Sequence, residues 1–264
     1  MRVLKPGVDI AAFWKRLGRA ASRGLLLDYD GTLAPFRVER EHAAPYPQVR
    51  DALRAIVEAG HTRVVIISGR PALDVQALLG ISPAPEIWGD HGWERLLADG
   101  RLIRAPLSAD AEATLRAARD TVERAGLAQR CEFKHAGIAL HVRGLPAEGA
   151  ATIQQAVLAE WHALARTGSA DVRQFDGGIE LRAVGADKGH AVRTLLPELA
   201  VPAGIAYAGD DLTDEDAFRA LADRGLSLLV RDAWRETAAD VWLRPPDELL
   251  AFLGEWNRVA ERDQ

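Results

Sequence analysis

The feature that most constrains the fold is a repeated alternation of short apolar runs with segments of helical periodicity. Residues 24–28, 63–67 and 204–209 are runs of strand length, each ending at or just before a small or acidic residue. The run 63–67 is rich in β-branched residues and has no polar face, which is typical of a strand covered by helices on both sides. Because helix-like segments separate the runs, we predict an α/β fold with a doubly wound, Rossmann-like parallel sheet.

The middle of the chain follows a different pattern. Residues 109–125 and 147–166 are alanine-rich and helix-like, and each precedes a pair of short strands with glycine nearby, the predicted turns being Gly137 and Gly177-Gly178. The predicted strand pairs are 131–134 with 138–142, and 171–175 with 179–183. A helix followed by a hairpin, repeated once, indicates an inserted α+β cap. We therefore predict a core of residues 1–105 and 185–264 and a cap of residues 106–184.

Carboxylate residues stand where two of the predicted core strands end. Asp28 and Asp30 follow the first run, and Asp210 and Asp211 begin an acidic segment after the third. Ligands of open α/β sheets bind at the carboxyl ends of the strands, so these acids are expected in one site. Carboxylates this close repel one another unless one is protonated or a cation lies between them. Since hard cations prefer oxygen ligands, the residues predict a Mg²⁺ site.

Ordinary structural roles are alternatives for some of these residues. An Asp-x-Asp-Gly segment by itself also forms a turn that caps a strand. In the second segment, Thr213 is expected to cap a helix whose dipole is complemented by the acids that follow it. Asp210 and Asp211 precede that helix, so capping does not explain their presence.

Two further residues strengthen the prediction of a site. Ser68 follows the strand 63–67, where its hydroxyl is placed to bond a phosphate oxygen. Lys188 lies in a predicted first helical turn, where its charge opposes the helix dipole and is therefore expected to serve another purpose. Each of these residues alone has an ordinary reading, as a turn serine and a solvated lysine.

These motifs, in this order, resemble those of the haloacid dehalogenase superfamily of phosphohydrolases, and the insertion resembles its C2-type cap. Several segments are more closely similar to the trehalose-6-phosphate phosphatase family: Asp28–Leu33, Ile67–Arg70, Gly89–Gly92 and Asp210–Phe218 in the core, with Glu132–Lys134, His141–Arg143 and Ile179–Arg182 in the cap.

The resemblance implies a Mg²⁺-dependent phosphatase that forms an aspartyl-phosphate on Asp28. His91 is expected to orient the site or to be an ordinary turn histidine. The implied catalytic residues are Asp28, Asp30, Ser68 and Lys188, and the implied metal ligands are Asp28, Asp30 and Asp210, with Asp211 and Asp214 orienting bound waters. The implied substrate contacts are Ser68, Gly69, Arg70, Lys134, Arg143 and Glu180.

Three other functions fit the same residues. The first is a phosphatase for another sugar phosphate, such as sucrose phosphate, mannosyl-phosphoglycerate or glucosylglycerol phosphate. The second is a phosphosugar mutase, which would share the chemistry of Asp28 and Asp30 but need a bisphosphate activator. The third is a catalytically inactive domain that only binds a sugar phosphate. All motifs are complete in this chain, and this favours an enzyme.

Composition limits the partners of the chain. Its formal net charge is −5 and no run of Lys or Arg suggests a basic groove, so nucleic acid is not expected as a partner. Cys131 is the single cysteine, which excludes an intrachain disulfide. No apolar stretch has the length of a membrane span or a signal peptide. We expect a cytoplasmic monomer that acts on a small sugar phosphate, with possible functional pairing with a sugar-phosphate synthase.

Overall fold

The computed structural model of the chain describes residues 1–175 and 177–261. They divide into two compact units, one formed by Met1–Ile103 with Asp187–Gln264 and the other by Arg104–Ala186. Within the described ranges, no helix combines the length and apolarity needed to cross a membrane. The role of the second unit as a cap stays a prediction.

Helices and strands alternate through most of the first unit. The α-helices of the described residues are α1 (Ile10–Gly18), α2 (Pro47–Ala59), α3 (Ala72–Leu79), α4 (Ala109–Arg124), α5 (Ala147–Ala165), α6 (Lys188–Leu195), α7 (Glu215–Leu221) and α8 (Asp247–Glu261). The strands are β1 (Arg2–Val3), β2 (Ser22–Leu27), β3 (Arg63–Ile67), β4 (Glu86–Gly89), β5 (Glu94–Leu96), β6 (Leu102–Arg104), β7 (Cys131–Phe133), β8 (Gly137–His141), β9 (Ala170–Phe175), β10 (Gly178–Ala183), β11 (Ala203–Gly209), β12 (Leu226–Val230) and β13 (Val241–Leu243).

A large, mostly parallel sheet forms the centre of the first unit. Its strand order, over the part of the chain that is described, is β1-β13-β12-β11-β2-β3-β4-β5-β6. The pairs from β13 to β4 are parallel, whereas β1 pairs antiparallel with β13 and β5 pairs antiparallel with β4. Along the chain, β2, β3 and β4 follow one another towards one edge of the sheet, and β11, β12 and β13 follow one another towards the other edge. The order therefore reverses between β2 and β11, which is where open α/β sheets bind ligands.

Helices cover both faces of this sheet. Leu25 and Leu27 of β2 pack into a core with side chains of α1, α2, α3 and α8, whereas Leu26 packs into a second core with α6 and α7. This alternation follows from the two-residue period of a strand, which turns successive side chains to opposite faces. The predicted doubly wound α/β core is confirmed.

The second unit is an α+β structure with its own core. Its strands form the sheet β7-β8-β10-β9, in which all neighbours are antiparallel. Ile138, Leu140, Ile179 and Leu181 pack against α4 and α5. The residues between them in sequence therefore lie on the opposite face of the sheet. Both predicted strand pairs are present, and the pairing of β8 with β10 joins them.

Two glycines predicted to form turns lie in strands instead. Gly137 begins β8 and Gly178 begins β10. A Cβ atom on Gly178 would come within 2.1 Å of the carbonyl oxygen of Leu140, so the absence of a side chain allows the two strands to pair closely. The predicted turn between β9 and β10 includes residue 176, which lies outside the described residues.

Two helices of the first unit are bordered by 3₁₀ turns. The helix beginning at Lys188 ends at Leu195, because Pro197 lacks an amide hydrogen and the chain continues as a 3₁₀ turn, Leu196–Glu198. Helix α7 begins at Glu215 and follows a second 3₁₀ turn, Leu212–Asp214. Pro71 is the N-cap of α3.

Candidate functional site

Two acidic side chains meet where the order of the sheet reverses. Asp28 directly follows β2 and Asp210 directly follows β11, and these two strands pair in parallel. The Asp28 amide still donates to the Ala208 carbonyl at 2.8 Å, so the ladder positions Asp28 against the end of β11. Both carboxylates are buried. The strands therefore bring together residues that are far apart in sequence.

Asp28 is held by a lysine and a threonine. Its Oδ1 accepts a hydrogen bond from Lys188 Nζ at 2.6 Å, and its Oδ2 accepts one from Thr32 Oγ1 at 3.1 Å. Burial raises the pKa of Asp28 to about 7, and the charge of Asp214 adds to this increase while Lys188 opposes it. The orientation of this carboxylate is consequently fixed before any ligand binds.

Lys188 bridges two buried carboxylates. It begins α6, and its Nζ donates to Asp28 Oδ1 and, at 2.8 Å, to Asp214 Oδ1. Burial alone would lower the pKa of Lys188, but the charges of Asp214 and Asp28 raise it above its usual range. The ammonium group therefore stays charged, and the sequence argument that this charge has a purpose away from its helix is consistent with these contacts.

Asp214 is fully buried, and its carboxylate accepts four hydrogen bonds. Its Oδ1 accepts from Lys188 Nζ and from Tyr207 OH at 2.6 Å, and its Oδ2 accepts from the amides of Asp210 and Asp211 at 3.1 and 2.9 Å. Burial, followed by the charge of Asp214, raises the pKa of Tyr207 well above its usual range, so the phenol remains a donor. Four donors occupy this carboxylate, which suits it to positioning other groups.

Asp210 differs from its neighbours because its carboxylate lacks a donor. Within the described part of the chain, no hydrogen-bond donor contacts Oδ1 or Oδ2, although the residue is only 4% exposed. Burial and the charges of Asp28 and Asp214 raise its pKa well above the usual range. A Cβ on Gly31, whose φ is +81°, would come within 2.1 Å of Asp210 Oδ2, so only glycine leaves room for this carboxylate.

The three carboxylates form a compact acidic cluster. One oxygen from each of Asp28, Asp210 and Asp214 lies within 4.8 Å of the others. Lys188 supplies one positive charge to three acids, and the Asp210 carboxylate has no donor within the described residues. Hard divalent cations take carboxylate oxygens as ligands. The donor set and the raised pKa values therefore fit a bound cation.

Asp211 has a structural role that the sequence analysis did not predict. Its side chain caps the 3₁₀ turn Leu212–Asp214, and Asp211 and Asp214 form a reciprocal capping box. The prediction that Thr213 provides the cap is wrong, because the turn begins one residue earlier and places Thr213 inside it. An orienting role for Asp211 toward bound water stays a prediction.

Asp30 is clamped by an arginine. Arg70 donates from Nε to Asp30 Oδ2 at 2.6 Å and from Nη2 to Asp30 Oδ1 at 2.8 Å, and its Nη1 donates to the Arg40 carbonyl at 2.9 Å. A bidentate pair of this kind fixes the plane of the carboxylate. The structure shows the Arg70 guanidinium bound to Asp30. The predicted contact of Arg70 with the substrate stays a prediction.

Ser68 and Gly69 lie beside a strained segment. The Ser68 hydroxyl accepts from the Arg70 amide at 3.1 Å, and the Ser68 carbonyl accepts from the His91 amide at 3.0 Å. Asp90 and His91 both have positive φ angles, 48° and 56°. A Cβ on Gly69 would come within 2.5 Å of the His91 ring. Backbone strain of this kind is concentrated at functional sites. The His91 ring packs against the backbone of Gly69, under the turn that begins at Ser68.

The predicted sugar contacts lie in the second unit. Lys134 Nζ donates to Glu180 Oε1 at 2.5 Å and lies 3.7 Å from Glu132 Oε2. The side chains of Lys134 and Glu180 are each 5% exposed, so this is a buried ion pair. The structure thus brings Lys134 and Glu180 together. Arg143 follows β8 and lies against Gly177, where a Cβ would approach its Nε to 3.0 Å.

Three residues that contact the acidic segment are missing from the sequence-based site. Tyr207 was part of a predicted buried strand, and its hydroxyl gave no signal in the apolar pattern. Arg235 donates to the carbonyl of Asp211 at 2.7 Å and to Glu215 Oε1 at 2.5 Å. Glu215 was expected only to complement a helix dipole. An arginine beside a buried acidic loop is recognisable only after the chain is folded.

Known proteins resemble this chain in sequence. A family model described as trehalose-phosphatase matches residues 26–239. The trehalose-phosphate phosphatase of Mycobacterium marinum is 32% identical over 246 residues, covering 87% of this chain and 60% of that protein. That of Mycobacterium tuberculosis is 31% identical over 248 residues, covering 88% and 61%. The chain thus spans about three fifths of the length of these curated relatives.

Solved structures show the same fold. The C-terminal domain of trehalose-6-phosphate phosphatase from C. albicans superposes with a TM-score of 0.79 and 20% identity, covering 98% of this chain and 99% of that one. A phosphatase of the haloalkanoate (HAD) enzyme superfamily from Bacteroides thetaiotaomicron gives a TM-score of 0.63 at 16% identity, covering 96% and 99%. Together with the family match, these findings lead to one conclusion: the chain belongs to the trehalose-phosphatase family.

Proposed function

We propose that this chain is a Mg²⁺-dependent phosphatase that hydrolyses trehalose 6-phosphate through a phosphorylated Asp28. The observation that carries the proposal is the buried cluster of Asp28, Asp210 and Asp214, bridged by Lys188, at the reversal point of the sheet. Membership of the family supports the substrate class, and the second unit, with its buried Lys134–Glu180 pair, supports a polar ligand such as a sugar.

Asp28 is the nucleophile in the first step. Its carboxylate oxygen attacks phosphorus while the bond from phosphorus to the sugar oxygen breaks, and Asp30 gives a proton to the departing sugar oxygen. In the second step water attacks the phosphorus of the aspartyl-phosphate while the bond from phosphorus to the Asp28 oxygen breaks, and Asp30 takes a proton from this water. Inorganic phosphate leaves, and both carboxylates return to their starting states.

Ser68 and Lys188 are the groups expected to bind the phosphoryl oxygens. The Ser68 oxygen accepts a hydrogen bond from the Arg70 amide, and a hydroxyl group can donate its own hydrogen at the same time. Lys188 carries a permanent charge next to Asp28. Donors that are oriented before the reaction stabilise charge as it develops, at little cost in reorganisation. The amides of Gly69 and Arg70 belong to the same turn.

The residues that would hold Mg²⁺ are Asp28 and Asp210, with the main-chain carbonyl of Asp30. Asp214 and Asp211 would act from the next layer, since the Asp214 oxygens already accept four hydrogen bonds. When bound, the ion supplies positive charge that offsets the repulsion between the carboxylates and the phosphate.

Phosphate release from trehalose 6-phosphate, compared with glucose 6-phosphate and sucrose 6-phosphate, tests the proposal. We expect Mg²⁺-dependent release that is fastest with trehalose 6-phosphate and absent in excess chelator. Faster release from another sugar phosphate would identify that compound as the substrate instead of trehalose 6-phosphate. Tight binding of sugar phosphates without any turnover would indicate an inactive binding domain instead.

Mg²⁺ is expected to stabilise the protein more at about pH 8 than at about pH 5. Folding raises the pKa of Asp28 to about 7, so the protonated side chain is favoured in the folded state. The resulting stabilisation is fully present below the pKa of the unfolded chain and is lost as the pH rises through about 7. A cation bound to the ionised carboxylates reverses that loss, whereas at low pH it must displace protons. Thermal unfolding with and without Mg²⁺ measures the difference. Equal shifts at both pH values would contradict this explanation.

Arg70→Lys is expected to lower kcat for trehalose 6-phosphate by about 10- to 100-fold, because one ammonium group cannot hold both oxygens of Asp30. The loss should be much smaller with p-nitrophenyl phosphate, whose leaving group needs little protonation. Steady-state assays of both substrates measure this. Arg23→Lys is the matched control, since Arg23 donates only to the carbonyls of Leu17 and Gly18 among the bonds observed. Equal losses for the two substrates would contradict a role through Asp30.

Glu180→Gln is expected to raise KM for trehalose 6-phosphate by about 10-fold or more, because a site built from paired charges loses an acceptor for sugar hydroxyls. Turnover of p-nitrophenyl phosphate, which has no sugar, should change little. Glu148→Gln, an exposed position on α5, is the control. If KM for trehalose 6-phosphate stays unchanged, Glu180 does not contact the sugar.

A further inference from the structure

The loop between β12 and β13 contacts the backbone of the acidic segment. Arg235 Nη2 donates to the Asp211 carbonyl at 2.7 Å, and its Nε lies 3.4 Å from the Asp210 carbonyl. Arg231 Nη1 also donates to the Asp210 carbonyl, at 3.2 Å. Two arginines of one loop therefore hold consecutive carbonyls directly after β11.

Glu215 anchors this loop to the start of α7. Its Oε1 accepts from Arg235 Nη1 at 2.5 Å and from Thr237 Oγ1 at 2.7 Å, and its Oε2 accepts from the Ala238 amide at 2.7 Å. The side chains of Arg235 and Glu215 are 17% and 9% exposed. The anchor is thus largely shielded from water, and an ion pair of this kind is screened less by salt than one at a free surface.

These contacts hold one peptide unit from both sides. The unit joining Asp210 to Asp211 has its carbonyl on Arg231 and Arg235 and its amide on Asp214 Oδ2. The preceding amide, that of Asp210, also donates to Asp214 Oδ2. Both backbone torsions of Asp210 are consequently restrained.

The restraint matters because the Asp210 carboxylate has no donor of its own within the described residues. Its position depends on the backbone that carries it and on the space left by Gly31. We infer that Arg235, anchored by Glu215 and assisted by Arg231, is a positioning residue that holds the Asp210 carboxylate in place for a divalent cation. The inference rests on the proposed metal-dependent function.

A simple charge effect predicts the opposite sign. A guanidinium near a cation site repels the cation, so removing it should tighten metal binding if charge alone matters. If Arg235 acts by holding the two carbonyls, removing it should weaken metal binding. A purely structural anchor would lower the unfolding temperature without changing the affinity of the folded protein.

Titration of the full chain with Mn²⁺, followed by calorimetry, measures this affinity independently of turnover. Arg235→Gln is expected to raise the dissociation constant for Mn²⁺ by about 10- to 100-fold, in the range found when groups that orient metal ligands are removed. Arg235→Lys should remain weakened, since one ammonium group cannot span the Asp211 carbonyl and Glu215. Arg219→Gln is the matched control, because Arg219 is 64% exposed and pairs with Asp216 on α7.

Each outcome decides the inference. Unchanged or tighter binding in Arg235→Gln overturns it, and so does full recovery in Arg235→Lys. If Arg235→Gln fails to fold, Arg231→Gln should still weaken Mn²⁺ binding by about threefold, since it loses one carbonyl contact, and unchanged binding overturns the inference. A wild-type chain that binds no Mn²⁺ overturns both the metal site and the role of Arg235. A wild-type chain that binds Mn²⁺ without hydrolysing sugar phosphates overturns only the proposed activity.

Discussion

Asp28→Asn is expected to reduce kcat for phosphate release by about 10⁴-fold or more. An amide oxygen is a poor nucleophile, so the aspartyl-phosphate cannot form, although Lys188 and Thr32 can still hold the side chain in place. Steady-state release from trehalose 6-phosphate at saturating Mg²⁺ measures the loss. Acid-quench trapping of labelled phosphate on the protein measures the intermediate directly.

A matched variant separates this chemical effect from disturbance of the site. Thr32→Val removes the Thr32 hydroxyl, which contacts the same carboxylate, without removing the nucleophile, and is expected to retain measurable turnover. Retained turnover in Asp28→Asn would contradict the covalent mechanism. Loss of turnover with an unchanged yield of trapped label would contradict the assignment of Asp28 as its site.

Lys188→Met is expected to lower the free energy of unfolding by about 3–5 kcal/mol at neutral pH or above, without added metal. The substitution leaves Asp28 and Asp214 buried without their shared cation, and it removes the charge of Lys188 that opposes the raised pKa of Asp28. The destabilisation should therefore grow as pH rises. kcat should also fall, by about 10²- to 10³-fold, because a charged donor to the phosphoryl group is lost.

Urea unfolding at two pH values measures this stability change. Lys15→Met on α1 is the control, since Lys15 is exposed and has no side-chain partner within the described residues. The double variant Lys188→Met/Asp214→Asn should recover part of the stability, because it removes one of the unpaired charges. A loss below about 1 kcal/mol in Lys188→Met would mean that the carboxylates are not charged in the folded protein.

Much of the core was predictable because its signals are local. Residues 25–27 and 64–67 are apolar on both side-chain faces, which is typical of a strand covered by helices on both sides. Asp28, Ser68 and Asp210 follow strand ends, and parallel strands bring such positions to one edge. The charge of Lys188 opposes the dipole of its own helix, and this local conflict led to the prediction that the charge serves another purpose.

The errors have equally specific causes. Gly137 and Gly178 were assigned to turns from composition, yet both begin strands, because glycine also serves where backbones approach closely. Asp211 appeared to have no structural role since the 3₁₀ turn that it caps was not predicted. The bond from Arg70 to Asp30, 40 residues away in sequence, was not predicted at all, and the predicted contact of Arg70 with the substrate stays a prediction.

The sequence by itself determined the fold class and the family, because periodicity and motif spacing are properties of neighbouring residues, and it predicted a site formed by Asp28, Asp30, Ser68, Lys188 and Asp210. Only the tertiary structure decided how these groups are paired. Lys188 lies 160 residues from the Asp28 that it contacts, and the contacts from Tyr207 to Asp214 and from Arg235 to Asp211 likewise depend on packing. A hydrogen bond requires a donor and an acceptor within about 3 Å, and the sequence pattern carries no such distances.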